Sequence, residues 1–286
     1  MISSARSLVH GVTPPVVATY ARRWLKRDPI TFRLGFENWS DASSAATGYD
    51  QEAIAKQVLE ATLAVASGRA AFERDGVLFD HIEYSWPLTA GLLLAVGSGS
   101  PGHVMDFGGA LGGTYLGHRA LLPSSVTWSV VEQPSFVRLA EAHVAVPGLS
   151  FFTSVRECVA ARAPSIALLS SVLQYLPNPF EMLASICAEP SIEWVLIDRT
   201  SCVDRGSSLP AVQTVRPPIY DASYPVWFLE EQRVNDVASS AFDLVASFDS
   251  FERWTVGRRV FQDRGWIFRR RRAIHSNVET SHTNTV

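Results

Sequence analysis

The sequence predicts an α/β protein built on a doubly wound, mostly parallel seven-stranded sheet, with a mainly helical cap ahead of it. Three observations carry this expectation. Apolar, strand-like runs at 103–107, 126–132, 149–153, 165–171 and 193–199 alternate with helical segments, a rhythm that calls for a parallel sheet covered on both faces. The first of these strands passes directly into the glycine-rich turn DFGGALGG, 106–113. Two late runs, FDLVASFDSF at 242–251 and RGWIFRRR at 265–272, have no helical pattern between them and predict an antiparallel pair at a sheet edge.

At 286 residues and 47% hydrophobic content, the chain can hold one large domain or one domain with a cap. The expected division is a helical cap over 1–100, the sheet domain over 101–272 and a disordered tail over 273–286. The formal net charge of −3 argues against a general nucleic-acid binder. Cys158, Cys187 and Cys202 form no CxxC pair, so neither a disulfide framework nor a metal site is expected. The N-terminus, with His10, Pro14 and Pro15 in a broken apolar run, is a poor signal peptide. No run reaches the roughly eighteen apolar residues of a membrane span, and a cytoplasmic protein without membrane insertion is the reading.

Taken in order, the basic cluster Arg22, Arg23, Lys26 and Arg27 reads as a short solvated helix, with an anionic partner as the alternative. Residues 35–50 read as an ordered loop pinned by Phe36, Trp39 and Tyr49. Asp50 can cap a helix in which Ile54, Val58, Leu59, Leu63 and Ala66 share a face, ending near Gly68. Pro87 sits where a second apolar helix should start, and GSGSPG at 97–102 separates it from the sheet. Within the sheet region, helices are expected over 111–122, from Ser135, up to about Ala161, and after the Asn178–Pro179 cap. Residues 202–225 read as irregular and proline-bearing, followed by a helix over 229–241.

Function is concentrated at the carboxyl ends of the strands. A strand that turns through small residues into a helix lets backbone approach a ligand and offers unpaired N–H groups. Glu132 ends the second strand about twenty residues beyond Gly112, where a doubly wound sheet can present an acid to a ribose. Together they indicate a nucleotide-type site.

The five parallel units with an antiparallel edge pair resemble the class I S-adenosylmethionine-dependent methyltransferase fold. The likeness is carried by DFGGALG at 106–112, VVEQ at 130–133 and LLSSVLQYLPNP at 168–179; Ala110 stands where a middle glycine is common. An ordered set spanning roughly 33–270 also resembles an uncharacterised bacterial methyltransferase family often associated with surface-polysaccharide genes. That set comprises GYD, IEYSWPL, DFGGALGG, VVEQPSFV, SSVLQYLPNP, IDRT, VQTV and IYDASYPVWFL. Here LGGTYLGHR departs from the LGSSY-type continuation of that family while keeping small residues.

The resemblance implies S-adenosyl-L-methionine as cofactor. Gly108, Gly109, Ala110 and Gly112 would cradle its methionine part, Asp106 would meet its amino group, Glu132 would hold the ribose and Gln133 would lie by the adenine. Thr153 and Ser154 would contact the adenine, with ordinary helix capping as the alternative. Ser170, Ser171 and Gln174, on the rim after the fourth strand, would touch cofactor or acceptor. Asp198 and Arg199 at the end of the fifth strand would serve the acceptor, Arg199 by gripping a carboxylate or phosphate or by pairing internally. Tyr220, Tyr224 and Trp227 would wall the pocket, with ordinary packing in a proline-rich connection as the alternative, and His81, near Glu83 and Tyr84, is a candidate base, as is His118. The expected partner is a small-molecule or saccharide acceptor, with oxygen favoured as the methylated atom. A nicotinamide-dependent oxidoreductase and a non-catalytic cofactor-binding protein are the competing readings.

Overall fold

The computed structural model describes residues 29–48, 51–99, 102–203, 205–217 and 219–272. The basic N-terminal cluster, the Asp50 cap and the C-terminal tail lie outside the described residues.

Strands β4 (His103–Phe107), β5 (Thr127–Val131), β6 (Leu149–Phe152), β7 (Ile166–Ser170) and β8 (Trp194–Val203) form the parallel centre, in the order β6-β5-β4-β7-β8. β12 (Arg259–Arg270) pairs antiparallel with β8, and β11 (Phe242–Val256) pairs antiparallel with β12. The seven expected strands are therefore present, but the sheet has ten. The stretch read as irregular holds β9 (Leu209–Val215) and β10 (Ala222–Glu230), and β9 also pairs with β1 (Ile30–Arg33). Pro210, Pro217 and Pro225 mask a Val-, Thr-, Tyr- and Trp-rich pattern that suits strands. Because β10 extends to Glu230, the helix expected from 229 is shorter, Glu231–Ala238.

β8 serves both halves of this sheet because it bulges at its middle. The register Thr200↔Arg264 followed by Ile197↔Trp266 leaves Asp198 and Arg199 opposite Gly265 alone, and Arg199 adopts φ 52. A side chain at Gly265 would stand 2.2 Å from the Phe248 ring and 2.9 Å from the Ile197 carbonyl, so only glycine allows this crossing. β7 pairs with β8 as far as Asp198. Past the bulge, β10 takes up Cys202 and Val203. The bend thus turns Asp198 and Arg199 out at the strand-end crevice, a common use of bulges.

Alternate residues of the central strands enter two cores, as the twofold strand period requires. Val104, Ile166, Leu168, Trp194 and Leu196 pack on one face with Leu88, Leu92 and Ala95 of α3 (Trp86–Gly97). Met105, Ala167, Leu169, Val195 and Ile197 pack on the other with Leu183 and Ile186 of α7 (Pro179–Ala188) and Val234 of α8 (Glu231–Ala238). The final arginine run belongs to this packing. Arg270 donates to the carbonyls of Cys187, Glu189 and Ile192, satisfying the end of α7.

The expected helical cap needs correction. Besides α1 (Trp39–Ala45), α2 (Gln51–Ala66) and α3, the described part of the first hundred residues contains β1, which joins the main sheet, and a hairpin of β2 (Phe72–Arg74) and β3 (Val77–Phe79). The hairpin turns at Asp75 and Gly76, both at positive φ (53° and 75°), the conformation for which Asp-Gly is suited. α3 packs on the sheet itself, while α2 sets Val58 and Leu59 against Ala140 of α5 (Pro134–His143).

Candidate active site at the strand ends

A cleft of about 1340 Å³ opens over the carboxyl ends of β4, β5, β7 and β8, with the hairpin and parts of β9 and β10 around it. Its floor is the first turn. Gly108 (φ 76) donates its N–H to Val131 O at 2.9 Å, and a Cβ there would lie 2.4 Å from Val172. A Cβ at Gly109 would meet the Asp106 carboxylate at 2.5 Å. Gly112 (φ 87) packs over Leu149 rather than lining the cleft, so its role is the turn before α4 (Gly113–His118). Ala110 adopts φ 49, a left-handed conformation costing an L-residue about 1–2 kcal/mol. Ala110→Gly should leave stability unchanged or raise it by up to about 1 kcal/mol, since the relief is partly offset by chain entropy. A loss beyond about 1 kcal/mol in urea unfolding would contradict that account of the turn.

Asp106 is 1% exposed and accepts from Trp128 Nε1 at 3.1 Å; burial pushes its carboxyl up to about 7. Glu132 clasps the turn, one oxygen accepting from Ala110 N at 3.3 Å and the other from Gln133 N at 2.8 Å. Burial raises its pKa too, yet each oxygen keeps a lone pair for a further donor. Gln133 is exposed at the cleft edge. Thr153 and Ser154 also border the cleft, but both hydroxyls are engaged at the start of α6 (Val155–Arg162): Thr153 Oγ1 donates to Glu157 Oε2 at 2.6 Å and Ser154 Oγ accepts from Glu157 N at 3.3 Å. Capping accounts for them.

The far wall is built at the β8 bulge. Ser171 (φ 53) donates its N–H to Asp198 O at 2.9 Å. Gln174, 2% exposed, donates to Arg199 O at 3.0 Å, with its Oε1 left unpartnered. Asp198, 1% exposed, receives Ser250 Oγ on Oδ1 at 2.7 Å, with Oδ2 buried and the Ser85 hydroxyl beside the carboxylate; burial raises its pKa. Ser170 lines the same cleft.

Several expectations are revised. Arg199 pairs internally, but with Glu252 rather than Asp198: its Nε donates to Glu252 Oε1 at 3.1 Å, and Arg74 from the hairpin lies 3.7 Å from the same oxygen. Thr200 is fully buried inside β8, which continues to Val203. His81 is 74% exposed at its side chain, contacts Asp80 and does not line the cleft, which removes the geometric basis for a base there. Trp227 stacks on Trp39 at 5.5 Å and donates to Leu176 O outside the main cleft. Tyr220 and Tyr224 do line it. Tyr224 OH accepts from Gln213 Nε2 at 3.2 Å, and Gln213 Oε1 receives Tyr175 OH. His118 lines the cleft with Nδ1 on the Thr114 carbonyl and Nε2 buried without a partner.

The residues missed by sequence reasoning come from the hairpin and the late strands. Glu73 and Arg74 could have been found from the Asp-Gly turn between apolar runs. Ser250, Glu252 and Asp263 lie on β11 and β12, where no local motif marks them. Asp263 accepts from Ser201 and Trp254 and is pushed by burial to about 7, as is Glu73. These acids ionise earlier in the unfolded chain, so unfolding releases protons and stability falls as pH rises. The ligand-free protein should accordingly lose melting temperature between about pH 4 and about pH 7 through Glu73, Asp106 and Asp263. A thermal unfolding series that rises across that window would contradict the burial of these acids.

No protein-family model matches the chain, and no curated protein does. Among solved structures it is similar to the N-terminal domain of EvdMO1 in the presence of SAH and D-fucose, at 15% identity over 70% of this chain and 90% of that one, TM-score 0.46. It is also similar to the Burkholderia thailandensis 1,6-didemethyltoxoflavin-N1-methyltransferase, at 15% identity over 79% and 94%, TM-score 0.41. A third likeness is to a SAM-dependent methyltransferase from Methanosarcina mazei, at 12% identity over 59% and 92%, TM-score 0.40. These likenesses are remote, and the site itself has to carry any functional reading. Among the described residues no helix is long and apolar enough to cross a membrane, and no group of three or more metal-ligating side chains occurs.

Proposed function

We propose that this chain is an S-adenosylmethionine-dependent methyltransferase acting on a small-molecule or saccharide acceptor through a hydroxyl oxygen. The observation that carries the reading is the glycine turn after β4 clasped by Glu132 at the end of β5, within a sheet closed by an antiparallel β11–β12 edge. The residues fit such a cofactor: Gly108 and Gly109 line the cleft and have no room for a side chain against Val172 and Asp106, which keeps bare backbone at the turn, and Glu132 has lone pairs for two ribose hydroxyls. Gln133 would border the adenine, and Gln174 and Ser171 would lie between cofactor and acceptor. When bound, the cofactor supplies an electrophilic methyl group on a sulfonium.

Methyl transfer is an in-line displacement, so alignment of the acceptor supplies much of the catalysis. Asp198 would accept the proton of the attacking hydroxyl: Ser250 holds Oδ1, Ser85 stands beside the carboxylate, and burial raises its basicity. Arg199 holds Glu252, and through it Arg74, around the acceptor space. Incubation with methyl-labelled S-adenosylmethionine and a panel of sugars, polyols and small carboxylic acids tests the proposal. Label should pass to a hydroxyl compound; transfer only to carboxylates, or reduction of a nicotinamide cofactor instead, would overturn it.

A further inference from the structure

Glu73 is a buried acid that the proposed reaction does not use. The β2–β3 hairpin carries it over the first turn, 7% exposed and in the cleft lining. Its Oε2 accepts from Gly76 N at 3.2 Å, and its Oε1 stands 2.4 Å from where a Cβ at residue 113 would be. Residue 113 must therefore be glycine for the carboxylate to rest there. Among the described residues no basic side chain forms an ion pair with Glu73; the adjacent Arg74 reaches instead toward Glu252. Burial accordingly holds its carboxyl near 7. A hairpin turn needs none of this, since an exposed acid or an amide could accept from Gly76 equally well. A buried carboxylate without a countercharge is costly unless a cation arrives, and the place it faces is the turn that would cradle an amino acid.

We infer that Glu73 binds the α-ammonium group of the cofactor's methionine moiety, so that the hairpin forms part of the cofactor site. The inference rests on the methyltransferase reading above. Asp106 packs against Gly109 with one oxygen on Trp128, whereas Glu73 comes from the hairpin and packs against Gly113, so the two acids reach the turn from different elements. Ion pairing there would also draw the hairpin down, with Arg74 and Glu252 holding its far side.

The test is titration calorimetry at pH 8 with two probes: S-adenosylhomocysteine, which has the amino-acid group, and 5′-methylthioadenosine, which lacks it. Glu73→Gln keeps the size and the bond from Gly76 but removes the charge. It should weaken S-adenosylhomocysteine by about tenfold or more, as expected for a charged hydrogen bond, and leave methylthioadenosine unchanged. Gly113→Ala, which displaces the carboxylate without altering it, should have the same selective effect and serves if the first variant does not fold. Equal binding of S-adenosylhomocysteine by wild type and variants, or an equal loss for both probes, overturns the role of Glu73. Failure of the wild type to bind either probe overturns the methyltransferase reading, and this inference with it.

Discussion

Asp198→Asn should lower turnover of a hydroxyl acceptor by about 10²–10⁴-fold, the usual contribution of a positioned base, while affinity for S-adenosylhomocysteine changes little. The expectation follows from the β8 bulge. Two residues there face Gly265 alone, and the resulting bend puts Asp198 at the cleft with Ser250 on one oxygen and Ser85 beside the carboxylate. Asparagine retains the size and can still accept from Ser250, but it cannot take up a proton. On the proposed reading the cofactor would be held from β4 and β5, on the other side of β7, so binding should be insensitive to the change. Turnover by Asp198→Asn equal to wild type would remove the base from this account. A parallel loss of cofactor affinity would show that Asp198 acts through the fold.

The second large effect belongs to Glu132→Ala. Affinity for S-adenosylhomocysteine should fall by about tenfold or more, because charged hydrogen bonds contribute roughly 1.5–3 kcal/mol. On the proposed reading Glu132 does two jobs at once: it accepts from Ala110 N and Gln133 N, which sets the shape of the turn, and it would hold the ribose. Glu132→Gln separates them, since an amide can keep one of the backbone bonds but not both acceptors. It should bind better than the alanine variant and worse than wild type. Unchanged binding by a folded Glu132→Ala protein would sink the ribose assignment.

The parts of the molecule legible in its sequence were those governed by local pattern. Apolar runs such as 103–107 and 165–171 form strands because they are buried on both faces, and Glu132 falls at the cleft because strand length and turn length set its distance from Gly108. The arrangement at β8 was not legible. Nothing in IDRT shows that Arg199 takes a left-handed conformation or that its partner is Glu252, 53 residues later. That pairing is set by the register of β12 on β8 and of β11 on β12. The three extra strands were obscured for a different reason: prolines at 210, 217 and 225 lower strand expectation locally, and the edge pairing of β1 with β9 joins residues as distant in sequence as Ile30 and Val215. His81 illustrates the reverse error, a residue chosen for its chemistry whose ring the fold leaves in solvent.

The central claim is that the crevice at the ends of β4 and β5 holds S-adenosylmethionine. Its most direct test is a calorimetric titration of the wild-type protein with S-adenosylhomocysteine beside NAD and NADP. The account predicts saturable binding of S-adenosylhomocysteine with one site per chain and no heat from either nicotinamide. Binding of a nicotinamide cofactor with no response to S-adenosylhomocysteine would contradict it.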